Sequence, residues 1–371
     1  MASCRNMLRL GSCHASVCSK QSVFHLFSVL IMGKFLKRIA LLVTLPVLLL
    51  LGVYLLTDPF TMLKPFSLQY FDPTNRDYMS TELFLKNYPS QKYDSYVFAS
   101  SRGCGINTYH WLKYLPQGSR QYMFQAWSET VTGINQKITY IDKIGGDIKN
   151  AIVLIDIPGS FAEPQLSKSA LAIKDYKMSG QSKFSFYSIL FWDFLQKPSL
   201  WYSSVINWFQ KEVPVIGFDT ISNDWEKSNA TSNLSAIPPK DSLSNCSAIV
   251  KTTFLQEATM YSESDIVESD PLISTNIQEQ LLNIKSIFDK HGTDYKIIIS
   301  PAYCYKHPTI NCEDLAFLFS TFGKDNVFNY SGKNELTSDC YNFSDPNHFG
   351  LSVGWQIIED IYNNTETPYS K

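Results

Sequence analysis

The chain has 371 residues, enough for one large domain or two and for a substantial hydrophobic core. Its 32 Lys and Arg residues nearly balance 34 Asp and Glu residues, which excludes the basic surface expected of a nucleic-acid-binding protein. Phe, Tyr and Trp make up 14% of the residues, which suits a packed α/β domain or, less simply, a surface that faces carbohydrate or lipid.

An uncharged apolar segment near the N-terminus predicts a membrane anchor. Residues 39–56 read IALLVTLPVLLLLGVYLL, and at about 1.5 Å per residue they nearly span the hydrocarbon core of a bilayer. Lys34, Lys37 and Arg38 precede the segment, which by the positive-inside tendency places the N-terminus in the cytoplasm and the main domain outside the cytoplasmic membrane. A cleaved signal peptide is the alternative, but no small-residue cleavage site follows the segment. We therefore favour an uncleaved single-pass anchor over residues 32–57.

The segments on either side of the anchor differ in composition. Residues 1–31 are patternless and rich in Cys, Ser and His, and we predict that they are disordered or that translation starts at Met32. Residues 58–92 carry four prolines among aromatic residues and predict a stalk with one short helix. Residues 93–371 are predicted to form one α/β domain.

The first part of this domain alternates strand and helix patterns. Apolar runs at residues 96–99, 121–127 and 151–158 predict buried strands, and helices are predicted between them at residues 107–114 and 129–144. Strands alternating with helices in this way are typical of a parallel sheet with right-handed crossovers.

The alternation stops after the third strand and resumes near residue 275. Residues 159–275 predict a mostly helical insertion with aromatic helices at 184–195 and 201–209. Ordinary packing of a helical hairpin is the simplest interpretation of these two helices, and a lid, a membrane-surface patch or an acceptor-binding subdomain are the alternatives. The sheet pattern then continues with strands at 296–300 and 326–330 and helices at 275–290, 313–322 and 349–362.

Two short motifs at opposite ends of the domain contain the groups that serine-based chemistry requires. The first strand ends in Ser100, Ser101 and Arg102, and ligands of open α/β sheets bind outside the carboxyl ends of the strands. A turn and a helix N-cap is the simpler interpretation of these serines. However, Asp345 and His348 stand three residues apart before the last helix, a spacing that lets a carboxylate orient an imidazole.

Both motifs resemble those of the SGNH (GDSL-like) hydrolase superfamily. The resemblance covers about residues 93–158 and 275–362 and leaves the insertion unmatched. In that family the first strand ends in Gly-Asp-Ser and the closing motif is Asp-x-x-His, which match residues 99–101 and 345–348 here. The degenerate first motif is similar to that of the membrane-anchored extracytoplasmic branch, which includes D-alanine-transfer proteins of cell-wall modification and uncharacterised proteins of polysaccharide-producing bacteria.

The resemblance implies a fold and a set of catalytic roles. The fold would be a flavodoxin-like three-layer α/β/α sandwich around a parallel five-stranded sheet. Ser101 would be the nucleophile, His348 its base and Asp345 the group that orients the base. No metal or organic cofactor is implied.

The oxyanion hole departs from the family pattern at two positions. Ser128 stands where the second motif has a glycine, and its backbone N–H would act with that of Ser101. Asp156 stands where the third motif supplies an asparagine amide, and a carboxylate there would repel an oxyanion. Arg102 is the cation that would compensate, although a surface ion pair is its simpler interpretation, and Ser100 completes the predicted substrate-binding turn.

These expectations lead to one predicted enzymatic function and two alternative functions. The predicted function is a membrane-anchored extracytoplasmic serine esterase or O-acyltransferase that acts on acyl esters of cell-surface glycans. The first alternative is a non-catalytic accessory protein that binds a glycan or a membrane O-acyltransferase. A structural or assembly protein of surface-polymer export is the second.

Overall fold

The computed structural model begins with a long helix, α1 (Cys13–Thr57). Its segment Met32–Thr57 is long and apolar enough to cross a membrane, in agreement with the predicted anchor. The helix begins inside the segment that we predicted to be disordered or untranslated. The structure describes residues 13–63, 75–162, 169–209, 218–225 and 248–363.

The domain contains a sheet of five parallel strands, which confirms the predicted α/β class. In space the strands lie in the order β2-β1-β3-β4-β5, and every adjacent pair is parallel. All residues of β1 and β3 are buried, as expected for the central strands of a sheet covered on both faces. The strands are β1 (Ser95–Ala99), β2 (Gln121–Gln125), β3 (Asn150–Ile155), β4 (Asp294–Ile299) and β5 (Val327–Asn329).

Helices pack on both faces of this sheet. Alternate strand residues such as Phe98 and Val153 point to one core, and Val97 and Leu154 point to the other. The first core is covered by α2 (Arg76–Gln91), α4 (Val131–Lys143), α9 (Thr275–His291) and α10 (Cys312–Phe322). The second is covered by α3 (Thr108–Trp111), α8 (Ala248–Ala258), α11 (Glu335–Ser338) and α12 (Leu351–Tyr362).

Helix α2 lies in the region that we predicted to be a stalk. Its side chains Met79, Leu83 and Phe84 are buried in the first core, so residues 76–91 are built into the domain. Asn75 caps the helix, since its side chain accepts a hydrogen bond from the N–H of Tyr78. The prolines of this region indicated a linker, but the apolar spacing within α2 determines where it packs.

The described part of the insertion is mostly helical, as predicted. It contains α5 (Tyr176–Ser179), α6 (Lys183–Leu195) and α7 (Pro198–Phe209) before α8, together with a ribbon that pairs Phe218–Asp219 with Asp224–Trp225. Helices α6 and α7 pack against the C-terminal end of α1 and form a third apolar cluster with it.

Candidate active site

The turn after β1 places Ser101 at the carboxyl edge of the sheet. Ser100 directly follows β1, and its Oγ accepts a hydrogen bond from the N–H of Arg102 at 3.1 Å. This cap starts a short 3₁₀ helix, Ser101–Gly105. As its first residue, Ser101 has no partner for its N–H within that helix, and its side chain is half-buried.

Asp345 and His348 lie on a small antiparallel hairpin, β6 (Phe343–Asp345) and β7 (His348–Phe349), immediately before α12. Asp345 Oδ1 accepts hydrogen bonds from the N–H groups of Asn347 at 2.8 Å and His348 at 3.2 Å. These bonds close the turn and fix the carboxylate beneath the imidazole. The spacing of three residues predicted that Asp345 orients the imidazole of His348, but it did not predict the hairpin that brings them together.

Ser101, His348 and Asp345 form one continuous chain of hydrogen bonds. The Nε2 atom of His348 lies 2.9 Å from Ser101 Oγ. Its Nδ1 atom lies 2.9 and 2.8 Å from the two carboxylate oxygens of Asp345. A carboxylate beside Nδ1 favours the tautomer with its proton there, which leaves Nε2 free to accept the proton of Ser101. The His348 side chain is 32% exposed, so a substrate can approach it.

A second, buried network lies behind Ser101 and contains Asp156. Ser100 and Ser300 both donate hydrogen bonds to the Asp156 carboxylate, the latter at 2.7 Å. Arg102 Nη1 donates to Ser300 Oγ at 2.8 Å and lies 3.8 Å from Asp156 Oδ1. Arg102 is 7% exposed, so it is a buried partner of Asp156 rather than part of a surface ion pair. Its positive charge partly compensates the negative charge of the Asp156 carboxylate.

A small cleft opens next to this network at the ends of β3, β4 and β5, and His307 lies on its wall. Burial lowers the pKa of His307 to about 4, and repulsion from Arg102 acts in the same direction. His307 is therefore neutral near pH 7. The lining residues are Arg102, Ile157, Ser300, Ala302, His307, Pro308, Ser331 and Gly332.

The turn after β2 contains Ser128 and lies beside the turn of Ser101. Ser128 is exposed and has a backbone φ of 48°, in the left-handed region that residues other than glycine seldom adopt. The contact between the two turns is made by Gln125, whose Nε2 atom lies 3.5 Å from Ser101 O and 2.9 Å from Cys104 Sγ. Ser128 therefore lies at the edge of the site, and its side chain takes no part in the hydrogen bonds that join Ser101, His348 and Asp345.

A buried ion cluster anchors this second turn. Glu129 contacts Lys137 and receives a hydrogen bond from Lys174 at 2.6 Å, and Lys137 also lies 2.5 Å from Asp77. Lys137, Asp77 and Glu129 are at most 5% exposed. Burial opposes the charge of Lys137, but attraction to Asp77 and Glu129 outweighs it and raises the pKa of Lys137.

Asp175 borders this cluster and is completely buried. Its N–H donates to Asp77 at 2.7 Å, and its Oδ1 caps α5 by accepting from the N–H of Lys177 at 2.7 Å. Burial raises the pKa of Asp175 to about 7, with a further contribution from the charge of Asp77. The folded chain therefore holds a proton on Asp175 at mildly acidic pH.

We expect the Asp175→Asn variant to lose part of the pH dependence of stability. Because the pKa of Asp175 is higher in the folded than in the unfolded chain, this group makes stability fall as the pH rises from about 4 to about 7. The fall amounts to at most roughly 4 kcal/mol. Urea unfolding at several pH values would measure it. A variant whose stability changes with pH as the wild type's does would contradict the assignment.

Two glycines let α12 approach the 3₁₀ helix that carries Ser101. A Cβ atom at Gly354 would lie 1.7 Å from the carbonyl oxygen of Gly105, and one at Gly105 would overlap the ring of Phe349. This close approach holds the hairpin of His348 against the turn of Ser101, because α12 follows the hairpin directly.

We expect Gly354→Ala to destabilise the chain by about 1–3 kcal/mol, because an added methyl group forces α12 away from Gly105. The same shift would separate His348 from Ser101 and lower any activity. Gly159→Ala is the matched control, since a Cβ there meets no atom within 4 Å. Unfolding midpoints of the two variants would be compared, and equal midpoints would exclude the proposed close packing.

The structure joins most of the predicted site residues in two adjoining groups. One is Ser101 with His348 and Asp345, and the other is Ser100 with Asp156 and Arg102. Sequence reasoning missed Ser300, which connects Arg102 to Asp156. Its signal was a polar residue directly after the apolar run of β4, where side chains reach the edge of the sheet.

Comparison with known proteins assigns the chain to no family. No family model matches it, and no curated protein is significantly similar to it.

Proposed function

We propose that the chain is a membrane-anchored serine esterase or O-acyltransferase of the SGNH type. The observation that carries the proposal is the 2.9 Å contact between Ser101 Oγ and His348 Nε2, with Asp345 on the opposite ring nitrogen. The strand order, counted along the sheet as 2-1-3-4-5, supports it because that is the flavodoxin-like order, in which ligands bind at the carboxyl ends of the strands.

In the proposed reaction Ser101 attacks the carbonyl carbon of an ester. The bond between Oγ and that carbon forms while the hydroxyl proton moves to Nε2 of His348, and Asp345 stabilises the resulting imidazolium. His348 then returns the proton to the oxygen of the departing alcohol as the ester bond breaks. The acyl group remains on Ser101 until water, in hydrolysis, or a sugar hydroxyl, in transfer, takes it with the same proton relay.

Backbone N–H groups are the proposed oxyanion donors. The N–H of Ser101 has no partner within its 3₁₀ helix, and Ser128 lies in the neighbouring turn. Arg102 Nη1 lies 3.8 Å from Asp156 Oδ1, and its positive charge partly offsets the negative charge of the carboxylate. The carboxylate therefore repels the negative charge that develops on the substrate less strongly. Asp156 itself positions the turn through Ser100.

The proposed substrates are acyl esters of cell-surface glycans. An anchor with Lys34, Lys37 and Arg38 on its N-terminal side would hold the domain outside the cytoplasmic membrane. Half-exposed Ser101 and His348 suit an ester displayed on a large polymer, because such a substrate cannot enter a deep cavity. The relay itself requires no metal or organic cofactor.

Labelling of the purified full-length chain in detergent with a fluorophosphonate probe would test the proposal. We expect one covalent adduct, located on Ser101 by peptide mass spectrometry, and release of acetate from O-acetylated oligosaccharides. A folded chain that takes up no probe would contradict it.

One observation favours the accessory function as the second candidate. The position where the SGNH pattern supplies an amide donor is occupied by Asp156, both of whose carboxylate oxygens bind serine hydroxyls. Loss of one oxyanion donor costs on the order of 10²–10³ in rate. An accessory protein would bind the glycan or a membrane O-acyltransferase and leave the fluorophosphonate probe unreacted.

A further inference from the structure

Some of the described side chains of α1 are exposed, and others pack against the rest of the protein. Large apolar side chains between Met32 and Leu49 are exposed, up to 76% at Leu42. Lys34, Lys37 and Arg38 lie before the hydrocarbon, so its uncovered part is residues 39–49, which at about 1.5 Å per residue span about 17 Å of the roughly 30 Å hydrocarbon core. The rest of the hydrocarbon and the lipid headgroups must therefore surround the last turns of α1.

Helices α6 and α7 pack against those last turns. Tyr54 is 3% exposed, and its ring lies 5.4 Å from that of Phe191 and 5.3 Å from that of Phe194, both on α6. Leu50 and Leu51 belong to the same apolar cluster, to which α7 contributes Leu200 and Trp201. The hairpin of α6 and α7 is thus fixed to α1 at the depth where a bilayer surface would lie.

The opposite side of this hairpin is aromatic and largely uncharged. Helix α7 contains no charged residue. On the neighbouring surface of α1, Leu55 and Leu56 are also exposed, at 54% and 64%. Groups of exposed large apolar side chains mark sites of interaction with a protein or a membrane. The exposed aromatic side chains of the hairpin are Phe184 (85%), Trp192 (58%), Tyr202 (74%), Trp208 (54%) and Phe209 (75%).

We propose that the hairpin of α6 and α7 lies in the interface between lipid and water and forms a second contact with the membrane beside α1. Trp and Tyr are enriched at this depth because their rings are apolar and their N–H and O–H groups reach water. The occupant is lipid rather than a protein, because the hairpin continues the surface of α1 that lipid must already cover. The contact restrains how the domain tilts on its anchor.

The inference rests on α1 crossing the membrane, but not on esterase activity. Full-length chain reconstituted in phosphatidylcholine vesicles provides the test, with tryptophan emission quenched by lipids brominated either near the headgroup or near the chain end. Helix α1 contains no Trp, so the anchor itself adds no signal. We expect substantial quenching, stronger with the shallow lipid than with the deep one.

Conservative variants locate the quenched residues among the 7 Trp of the chain. In the triple variant Trp192→Phe, Trp201→Phe and Trp208→Phe, which removes every Trp of α6 and α7, we expect most of the quenchable emission to disappear. Trp127→Phe is the matched control, because Trp127 is 46% exposed but lies in the turn after β2, and it should keep the quenchable emission. Flotation with vesicles shows for each variant that α1 is inserted.

Quenching that the triple variant retains would overturn the inference. An unquenched wild type that floats with vesicles would also overturn it and would assign the aromatic surface to a protein partner or to a second copy of the chain. Labelling of Ser101 in the same vesicles is read separately, so failure of the esterase proposal leaves this test unaffected.

Discussion

Ser101→Ala is expected to lower ester hydrolysis by roughly 10³-fold or more and to abolish fluorophosphonate labelling. The hydroxyl of Ser101 is the group that would form the acyl intermediate, and its contact with His348 at 2.9 Å supplies the path for its proton. His348→Ala should have a similar effect, because an unactivated serine hydroxyl is a weak nucleophile. Initial rates on a chromogenic acetyl ester would give the comparison.

The double variant distinguishes a catalytic unit from two separate defects. Residues that act as one unit lose little more when both are removed, so Ser101→Ala with His348→Ala should be about as slow as either single variant. Ser320→Ala is the matched control, since this exposed serine on α10 donates to the carbonyl of Phe317, away from the candidate site. Full hydrolysis by folded Ser101→Ala would exclude Ser101 as the nucleophile.

Lys137→Met is expected to cost about 3–5 kcal/mol of folding free energy, the largest stability effect among the substitutions considered. Removing the cation leaves the carboxylates of Asp77 and Glu129 buried together, at 5% and 1% side-chain exposure, without their shared partner. Methionine fills the space of the aliphatic stem, so the loss reflects charge rather than a cavity. Urea titration at neutral pH would measure it from the midpoint and slope.

Lys290→Met provides the comparison for Lys137. Its ammonium group lies 2.6 Å from Asp142, but the Lys290 side chain is 64% exposed and Asp142 keeps His291 as a partner. Exposed ion pairs contribute about 0–1 kcal/mol, so this variant should remain close to the wild type. Equal losses for the two variants would show that the Lys137 cluster is open to water.

The strands of the sheet were predictable because their sequences are continuously apolar. The predicted runs at residues 96–99 and 151–158 contain most of β1 and β3. The second run ended too late, because Asp156 already turns toward the serines of the buried network. Burial on both faces leaves a strong local signal, whereas the exact end of a strand depends on what its last side chains meet.

The residues of the candidate site were visible in the sequence, but only the family resemblance, and not the residue pattern itself, predicted that they meet. Ser101 and His348 are 247 residues apart, and their contact depends on the order of the strands and on the fit of α12. Arg102 was predicted as a compensating cation, with a surface ion pair as the simpler interpretation, and only the structure shows that it is buried beside Ser300 and Asp156. The hairpin of His348 was missed because its strands are too short to show any periodicity.

The separation of Ser101 and His348 along the chain also sets the order in which the site is completed. During synthesis Ser101 leaves the ribosome after α1 and α2, and His348, on the hairpin with Asp345, follows 247 residues later. Until that hairpin docks, Ser101 is an ordinary alcohol with no base beside it. A partly synthesised chain would therefore lack the complete site, and the proposed acyl chemistry would begin only after the hairpin of His348 has been made and has docked.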